Sequence, residues 1–142
     1  MTNGGPVLVD TNVILDVTTD DPRWGSWSAA QLAEAATRSR LAINPIIYAE
    51  VSMGFDRTED LDSALQQSDF IRLPLPHEAG FLAGKCFLRY RRVGGARRSP
   101  LPDFYMGAHA AVERLTLLTR DARRYRTYFP TLKLIAPETS GE

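Results

Sequence analysis

The chain has 142 residues, of which 44% are hydrophobic and 24% are charged, and this indicates one globular domain with a sizeable core. Its apolar runs are too short to cross a bilayer and its N-terminus lacks a basic segment followed by an apolar one, so we expect neither a membrane span nor a signal peptide. The single cysteine, Cys86, excludes an internal disulfide and a cysteine-rich metal site. A cytoplasmic location is the default expectation.

Strand-like apolar runs alternate along the chain with longer stretches of helical spacing. In chain order the predicted elements are a strand at 7–9, a helical turn at 13–16, a helix at 26–38, a strand at 41–44, helices at 45–53 and 60–68, a strand at 70–75, helices at 78–91 and 103–113, a strand at 115–119, a helical turn at 121–129 and a strand at 132–136. Continuously apolar strands separated by helices indicate a mainly parallel sheet covered on both faces. The sequence therefore predicts a single α/β domain over residues 1–142 with about five strands.

Four acidic residues lie where this fold would bring them to one edge of the sheet. Asp10 directly follows the first strand, and Asp121 follows the fourth. Glu50 lies in the helix after the second strand, and Asp103 opens the helix that precedes the fourth. Because open α/β sheets bind ligands outside the carboxyl ends of their strands, we expect these four carboxylates to converge there.

Carboxylates gathered in one cleft repel each other and lose hydration, so such a cluster persists when a cation neutralises it. Oxygen ligands suit magnesium or manganese, and neither His77 nor His109 has the spacing of a zinc site. A divalent ion would activate a water and hold a phosphodiester. The acids therefore predict metal-dependent hydrolysis of a nucleic-acid backbone, with helix capping as the competing role for Asp10, Asp103 and Asp121.

Polar neighbours of these acids predict a supporting layer around the site. Thr11, Asn12 and Thr119 can orient carboxylates or waters by hydrogen bonding. Glu50 could instead be a solvated side chain, although helical spacing places it near a largely apolar patch. For Asp16 we expect a surface or supporting role rather than metal ligation.

Three further residues are better explained by packing than by chemistry. His109 lies inside a predicted helix, where a packing or solvent role is favoured over catalysis. Trp24 and Trp27 lie three residues apart near a helix start. We expect both in the core, with an interface anchor as the alternative.

Charge is distributed unevenly although the net charge is zero. Residues 1–83 carry 12 acidic and 5 basic side chains, and residues 84–142 carry 5 acidic and 12 basic ones. The segment RYRRVGGARRS concentrates arginines around a glycine pair, which predicts contacts from Arg92, Arg97 and Arg98 to a nucleic-acid backbone. A GC-rich genome and a solvated helix end are the alternatives.

Four segments together resemble the PIN domain, and in particular the VapC toxins of bacterial type II toxin–antitoxin pairs: VLVDTNVILD, IIYAEVS, SPLPDFYMGAHAA and LTLLTRDARRY. The resemblance spans a core of about residues 7–137, and its specificity lies in the ordered set of motifs. It implies a three-layer α/β/α sandwich and a magnesium- or manganese-dependent endoribonuclease whose acidic quartet is Asp10, Glu50, Asp103 and Asp121. It also implies a homodimer, held inactive by a VapB-like antitoxin that often places a basic side chain in the acidic pocket.

Other functions remain open on the residues alone. A haloacid-dehalogenase-type phosphatase would need a second aspartate at the position of Asn12, which disfavours that activity. A receiver domain would be a non-catalytic binding module with similar acids at its strand ends. Such a domain normally has an early acid pair and a lysine after the last strand, and neither is present. A metal-dependent DNA nuclease fits these residues as well as a ribonuclease does.

Overall fold

The described part of the protein contains one five-stranded sheet in which every strand runs parallel to its neighbours. Our computed structural model describes residues 5–66, 69–94 and 101–137. The strands are β1 (Val7–Val9), β2 (Leu41–Ile43), β3 (Ile71–Arg72), β4 (Thr116–Leu118) and β5 (Lys133–Ile135). The flanking helices are α1 (Thr11–Thr18), α2 (Gly25–Arg38), α3 (Pro45–Ser52), α4 (Thr58–Gln66), α5 (His77–Arg92), α6 (Leu101–Glu113) and α7 (Arg123–Tyr128). None of the helices in these ranges is long and apolar enough to span a membrane. The predicted α/β/α architecture is confirmed.

The central strands are continuously apolar because both of their faces are covered. Leu8 is fully buried, and it pairs with Ala42 of β2 on one side and with Leu117 of β4 on the other. The strand order β3-β2-β1-β4-β5 makes the chain cross from one side of β1 to the other. The Asp10 amide donates to the Leu118 carbonyl at 2.8 Å, so the ends of β1 and β4 lie together. This crevice is where ligands bind in open α/β sheets.

Several predicted element boundaries are wrong. The helical turn predicted at 13–16 is the longer helix α1, because Asp10 caps its first turn. The third strand is predicted over 70–75, but only the two residues of β3 pair. Pro74 and Pro76 follow this strand, and they have no N–H to offer a neighbouring strand. The predicted end of the fourth helix, at residues 67–68, lies outside the described residues.

The packing of α6 leaves no room for a side chain at Gly107. A Cβ atom built there would overlap the ring of Phe129. Phe129 is itself buried in the core, so its ring has little freedom to move aside. A glycine at this position therefore allows the close approach of α6 to the segment after α7.

Candidate active site

Asp10 begins the first helix and has both of its carboxylate oxygens engaged. Its Oδ1 accepts a hydrogen bond from the Thr11 amide at 2.8 Å, which caps α1. Its Oδ2 accepts hydrogen bonds from the hydroxyls of Thr119 at 2.9 Å and Tyr125 at 3.0 Å. The capping role predicted as a competitor is therefore real, and it is compatible with a place in the site.

Burial makes the Asp10 carboxyl a weaker acid than an ordinary aspartate. The residue is 5% exposed, and this desolvation is the main reason why its pKa rises from 3.8 to about 6. The hydrogen bonds from Thr119, Tyr125 and Thr11 stabilise the charged form and oppose the rise, while the negative charge of Asp103 adds to it. The protein thus leaves the charge on Asp10 incompletely compensated.

Helix α3 carries Glu50 toward the end of β1. The helix begins at Pro45 because the Asn44 side chain accepts a hydrogen bond from a first-turn amide at 3.0 Å, and proline suits the first helical position. About one and a half turns later, Glu50 accepts a hydrogen bond from the Thr11 hydroxyl at 2.6 Å. Since Thr11 follows Asp10 directly, this bond ties Glu50 to the start of α1.

Asp103 lies in the first turn of α6 and forms an ion pair with an arginine. Arg124 donates from Nη1 to Oδ2 of Asp103 at 2.7 Å. The guanidinium carbon lies 5.3 Å from the centre of the Tyr90 ring and 5.9 Å from that of Phe104. Burial raises the pKa of the Asp103 carboxyl, Arg124 opposes this rise, and the negative charge of Glu50 adds to it. Asp103 and Glu50 are therefore near enough to repel each other.

The loop after β4 joins the acids through Thr119, which is fully buried. Its Oγ1 donates to Asp10 and accepts hydrogen bonds from Asn12 Nδ2 at 3.3 Å and the Asp121 amide at 3.1 Å. Asn12 Oδ1 accepts in turn from the Arg120 amide at 3.3 Å. Asp121 is exposed and does not cap α7, whose cap position is the next residue. The predicted supporting residues thus lie between the predicted acids.

The four predicted acids line one cleft of about 870 Å³, together with Thr11 and Asn12. The same cleft is lined on its basic and aromatic wall by Tyr90, Arg123, Arg124, Tyr125 and Tyr128. Of the predicted nucleic-acid contacts, Arg92 is exposed at the end of α5 and does not line this cleft. Arg97 and Arg98 lie outside the described residues.

The donor chemistry of the cleft suits a hard divalent cation, although its acids do not form a closed cage. Among the residues that the structure describes, no three acidic, histidine or cysteine side chains gather closely enough to hold an ion. Each of Asp10, Glu50 and Asp103 is held by another donor instead. The negative charge of Asp103 nevertheless raises the pKa of Asp10, and the charges of Glu50 and Asp121 raise the pKa of Asp103, so a cation would relieve this repulsion. Asp10, Glu50, Asp103 and Asp121 are the residues that could hold it.

The sequence did not predict the ion pair between Asp16 and Arg120, which do not line the cleft. Asp16 of α1 is 2% exposed, so the surface position considered for it is wrong. It accepts hydrogen bonds from Ser28 Oγ and Arg120 Nε, both at 2.7 Å. The Arg120 guanidinium also lies 5.6 Å from the centre of the Trp24 ring. The only hint of this ion pair in the sequence is that Arg120 lies between Thr119 and Asp121, two residues predicted to belong to the site.

The packing roles expected for His109 and Trp27 are confirmed. His109 is fully buried, and its Nδ1 lies 3.0 Å from the Asn44 amide nitrogen, which can only donate. The ring proton therefore sits on Nε2, 3.5 Å from a Glu113 oxygen. Trp27 packs against the core, and half-buried Trp24 meets it edge-on with ring centres 6.0 Å apart.

These features define an α/β protein with an acidic cleft at the crossover point of a parallel sheet. Residues 7–130 match the family model of the PIN domain, and the chain belongs to that family. PIN domains form a family of nucleases that generally use divalent metal ions. The predicted resemblance is thereby confirmed.

Solved structures of VapBC proteins share this fold. VapBC2 from Rickettsia felis, bound to a DNA fragment from its promoter, has a TM-score of 0.70 and 20% identity, covering 93% of this chain and 98% of the matched one. VapBC-1 from nontypeable Haemophilus influenzae has a TM-score of 0.67 and 19% identity, covering 92% and 96%. VapBC-5 from Mycobacterium tuberculosis, a toxin–antitoxin system, has a TM-score of 0.55 and 21% identity, covering 96% and 100%. No curated protein sequence matches the chain.

Proposed function

We propose that this protein is a magnesium-dependent endoribonuclease, able to use manganese, and the toxin of a type II toxin–antitoxin pair. The observation that carries the proposal is the single cleft onto which four separate segments of a PIN domain direct Asp10, Glu50, Asp103 and Asp121. Three hydrogen bonds compensate the charge of buried Asp10 only in part, so its pKa stays raised and a nearby cation would stabilise the charged form.

Each acid has a distinct part in this proposal. Asp10, Asp103 and Asp121 would hold one or two ions, with Glu50 on a second ion or a water. When bound, the metal would lower the pKa of a water and neutralise a phosphodiester. Thr119 fixes the direction of the Asp10 carboxylate through its 2.9 Å hydrogen bond. Hydrolysis that releases the 3′ oxygen would leave 5′ phosphate ends.

The basic and aromatic wall of the cleft suits a single-stranded polyanion. Arg123 and Arg124 can contact phosphates, and Tyr90 and Tyr128 are partly exposed rings on the same wall. Aromatic faces stack with unpaired bases, which are more common in RNA than in duplex DNA. Arg92, which does not line the cleft, remains a proposed contact to the RNA backbone. Arg97 and Arg98, which lie outside the described residues, also remain proposed contacts.

The solved relatives support a protein partner. The similar structures are VapBC toxin–antitoxin proteins. We therefore include in the proposal a VapB-like antitoxin that inhibits the nuclease. A homodimeric state, which the family resemblance implies, and a cytoplasmic location are proposed with it. An antitoxin that places a basic side chain among the acids would inhibit by competing with the metal.

Cleavage by the purified chain, free of antitoxin, tests the proposal. Total cellular RNA and, separately, single-stranded DNA would be incubated with the protein and magnesium, and the ends produced by cleavage would be mapped. We expect magnesium-dependent RNA cuts that Asp10→Asn abolishes and that Asp60→Asn, a change at an exposed acid of α4, leaves intact. Cutting that survives chelation or persists in Asp10→Asn would reject the mechanism. DNA cut in preference to RNA would establish the DNA nuclease, and metal binding without cleavage the binding module.

A further inference from the structure

Arg124 faces the cleft and is paired with one of its four acids. Its Nη1 lies 2.7 Å from Oδ2 of Asp103, and both side chains are partly exposed on the cleft wall. An ion pair in this setting can open by side-chain rotation, without unfolding of either helix. From this geometry we propose that Arg124 is an internal counter-cation, which occupies Asp103 in the metal-free protein and competes with the metal for it. The inference rests on the proposed metal-dependent function.

Aromatic rings give Arg124 a second contact that does not depend on Asp103. Its guanidinium carbon lies 5.3 Å from the centre of the Tyr90 ring and 5.9 Å from that of Phe104. A planar guanidinium is attracted to aromatic faces at such distances. Arg124 therefore keeps a contact in the cleft wall when Asp103 turns toward a metal ion.

The positions of the carboxylates agree with such a competition. No three acids in the described residues converge into a metal cage, and Asp103 is drawn to the side of Arg124. A carboxylate held by a guanidinium is a poorer ligand for a second cation, because the two positive charges repel. The protein is then competent to bind metal for only a fraction of the time, which raises the apparent dissociation constant. For a partly exposed ion pair the expected effect is roughly two- to fivefold.

Isothermal titration of the full metal-free chain with manganese, without RNA, measures this competition directly. We expect Arg124→Gln to bind manganese roughly two- to fivefold more tightly than the unchanged protein. Arg123→Gln is the matched control: Arg123 lines the same cleft, and within the described part of the chain it forms no ion pair. Both variants lose one positive charge from the same wall, whereas only Arg124→Gln also loses the ion pair with Asp103 and the ring contacts to Tyr90 and Phe104. Arg124→Lys keeps the charge without the planar fork and should bind with intermediate affinity.

The outcomes separate this inference from the proposed function. The counter-cation role is wrong, and the metal site stands, if Arg124→Gln binds manganese no more tightly than the unchanged protein. The same conclusion follows if Arg123→Gln gains as much affinity for manganese as Arg124→Gln does. If no variant binds manganese, both are wrong. Thermal unfolding in chelator identifies any variant that fails to fold. If Arg124→Gln does not fold, the manganese affinity of Arg124→Lys is compared with that of the unchanged protein, and equal affinities would overturn the counter-cation role.

Discussion

The Tyr125 hydroxyl donates to Oδ2 of Asp10 at 3.0 Å, although the two residues are 115 positions apart in the sequence. Burial, together with the negative charge of Asp10, raises the pKa of Tyr125 well above its ordinary range. The hydroxyl therefore remains protonated and acts as a donor under all working conditions. Because it donates to the charged form of Asp10, it lowers the pKa of that carboxyl.

Tyr125→Phe should therefore make Asp10 harder to ionise. Without the hydrogen bond the pKa of Asp10 rises further, and the acidic limb of the pH–rate profile should move up by about one pH unit. RNA cleavage measured at limiting magnesium across the pH range checks this. Tyr48→Phe is the control, because the Tyr48 hydroxyl donates to Asp62, a carboxylate away from the cleft, at 2.9 Å. A profile that does not move in Tyr125→Phe would contradict the prediction.

The buried carboxyl of Asp10 also predicts how stability depends on pH in the metal-free protein. Its pKa is raised to about 6 in the folded chain, so the folded state binds the proton more tightly than the unfolded state. The stabilisation is present in full below about pH 3.8 and is lost as the pH rises through about 6. Its total is roughly 3 kcal/mol, from about 1.4 kcal/mol per pH unit.

Urea unfolding in chelator, with Asp10→Asn as the reference, isolates this contribution. Asparagine does not titrate, and its side-chain oxygen can still cap α1. The difference in unfolding free energy, unchanged protein minus variant, should fall as the pH rises from 4 to 7. A difference that stays constant across this range would show that Asp10 has an ordinary pKa in the fold.

Breaking the ion pair behind the cleft should destabilise the protein. Arg120→Met leaves the Asp16 carboxylate buried with only its hydrogen bond from Ser28. Because Arg120 itself is partly exposed, we expect a cost of about 1 to 3 kcal/mol, less than for a fully buried pair. Adding Asp16→Asn should recover part of that loss, because the unpaired charge is then removed. A double-mutant cycle by chemical denaturation measures the coupling. Strictly additive effects would mean that the pair contributes nothing.

Gly107→Ala should destabilise the fold by about 1 to 3 kcal/mol, because the new methyl group overlaps the buried ring of Phe129. Gly84→Ala in α5 is the matched control, since a Cβ there meets nothing within 4 Å. Alanine is favoured over glycine inside a helix, so the control should be neutral or slightly stabilised. Thermal unfolding of both variants tests this, and equal melting temperatures would show that Phe129 can move aside.

The sheet and the positions of the acids could be predicted because their signals are local. Each strand is a short apolar run, and Asp10 follows one directly, while the Asn44–Pro45 pattern marks the start of α3. The parallel-sheet rule then brings the ends of separate strands together without any knowledge of side-chain contacts.

The partners of these acids could not be predicted, because their contacts join distant segments. Arg124 is one of several arginines near the C-terminus, and nothing in its neighbourhood selects Asp103, which lies 21 positions earlier. Asp16 and Arg120 are 104 positions apart, so their pairing depends on how α1 lies beside the loop after β4. Packing of this kind is decided by the whole fold rather than by a motif.

Asp10 restricts the kinds of inactivating mutation that the chain can accept. Its carboxylate belongs to the acidic cleft and also starts α1, whereas Asp121 is exposed and caps no helix. Alanine at position 10 would remove a cap worth about 1 kcal/mol, while asparagine would keep it. If cells that survive expression of the protein are sequenced, escape variants at position 121 should be chemically diverse. Among escape variants that carry a change at position 10 and still fold, most should have asparagine or another small capping residue there.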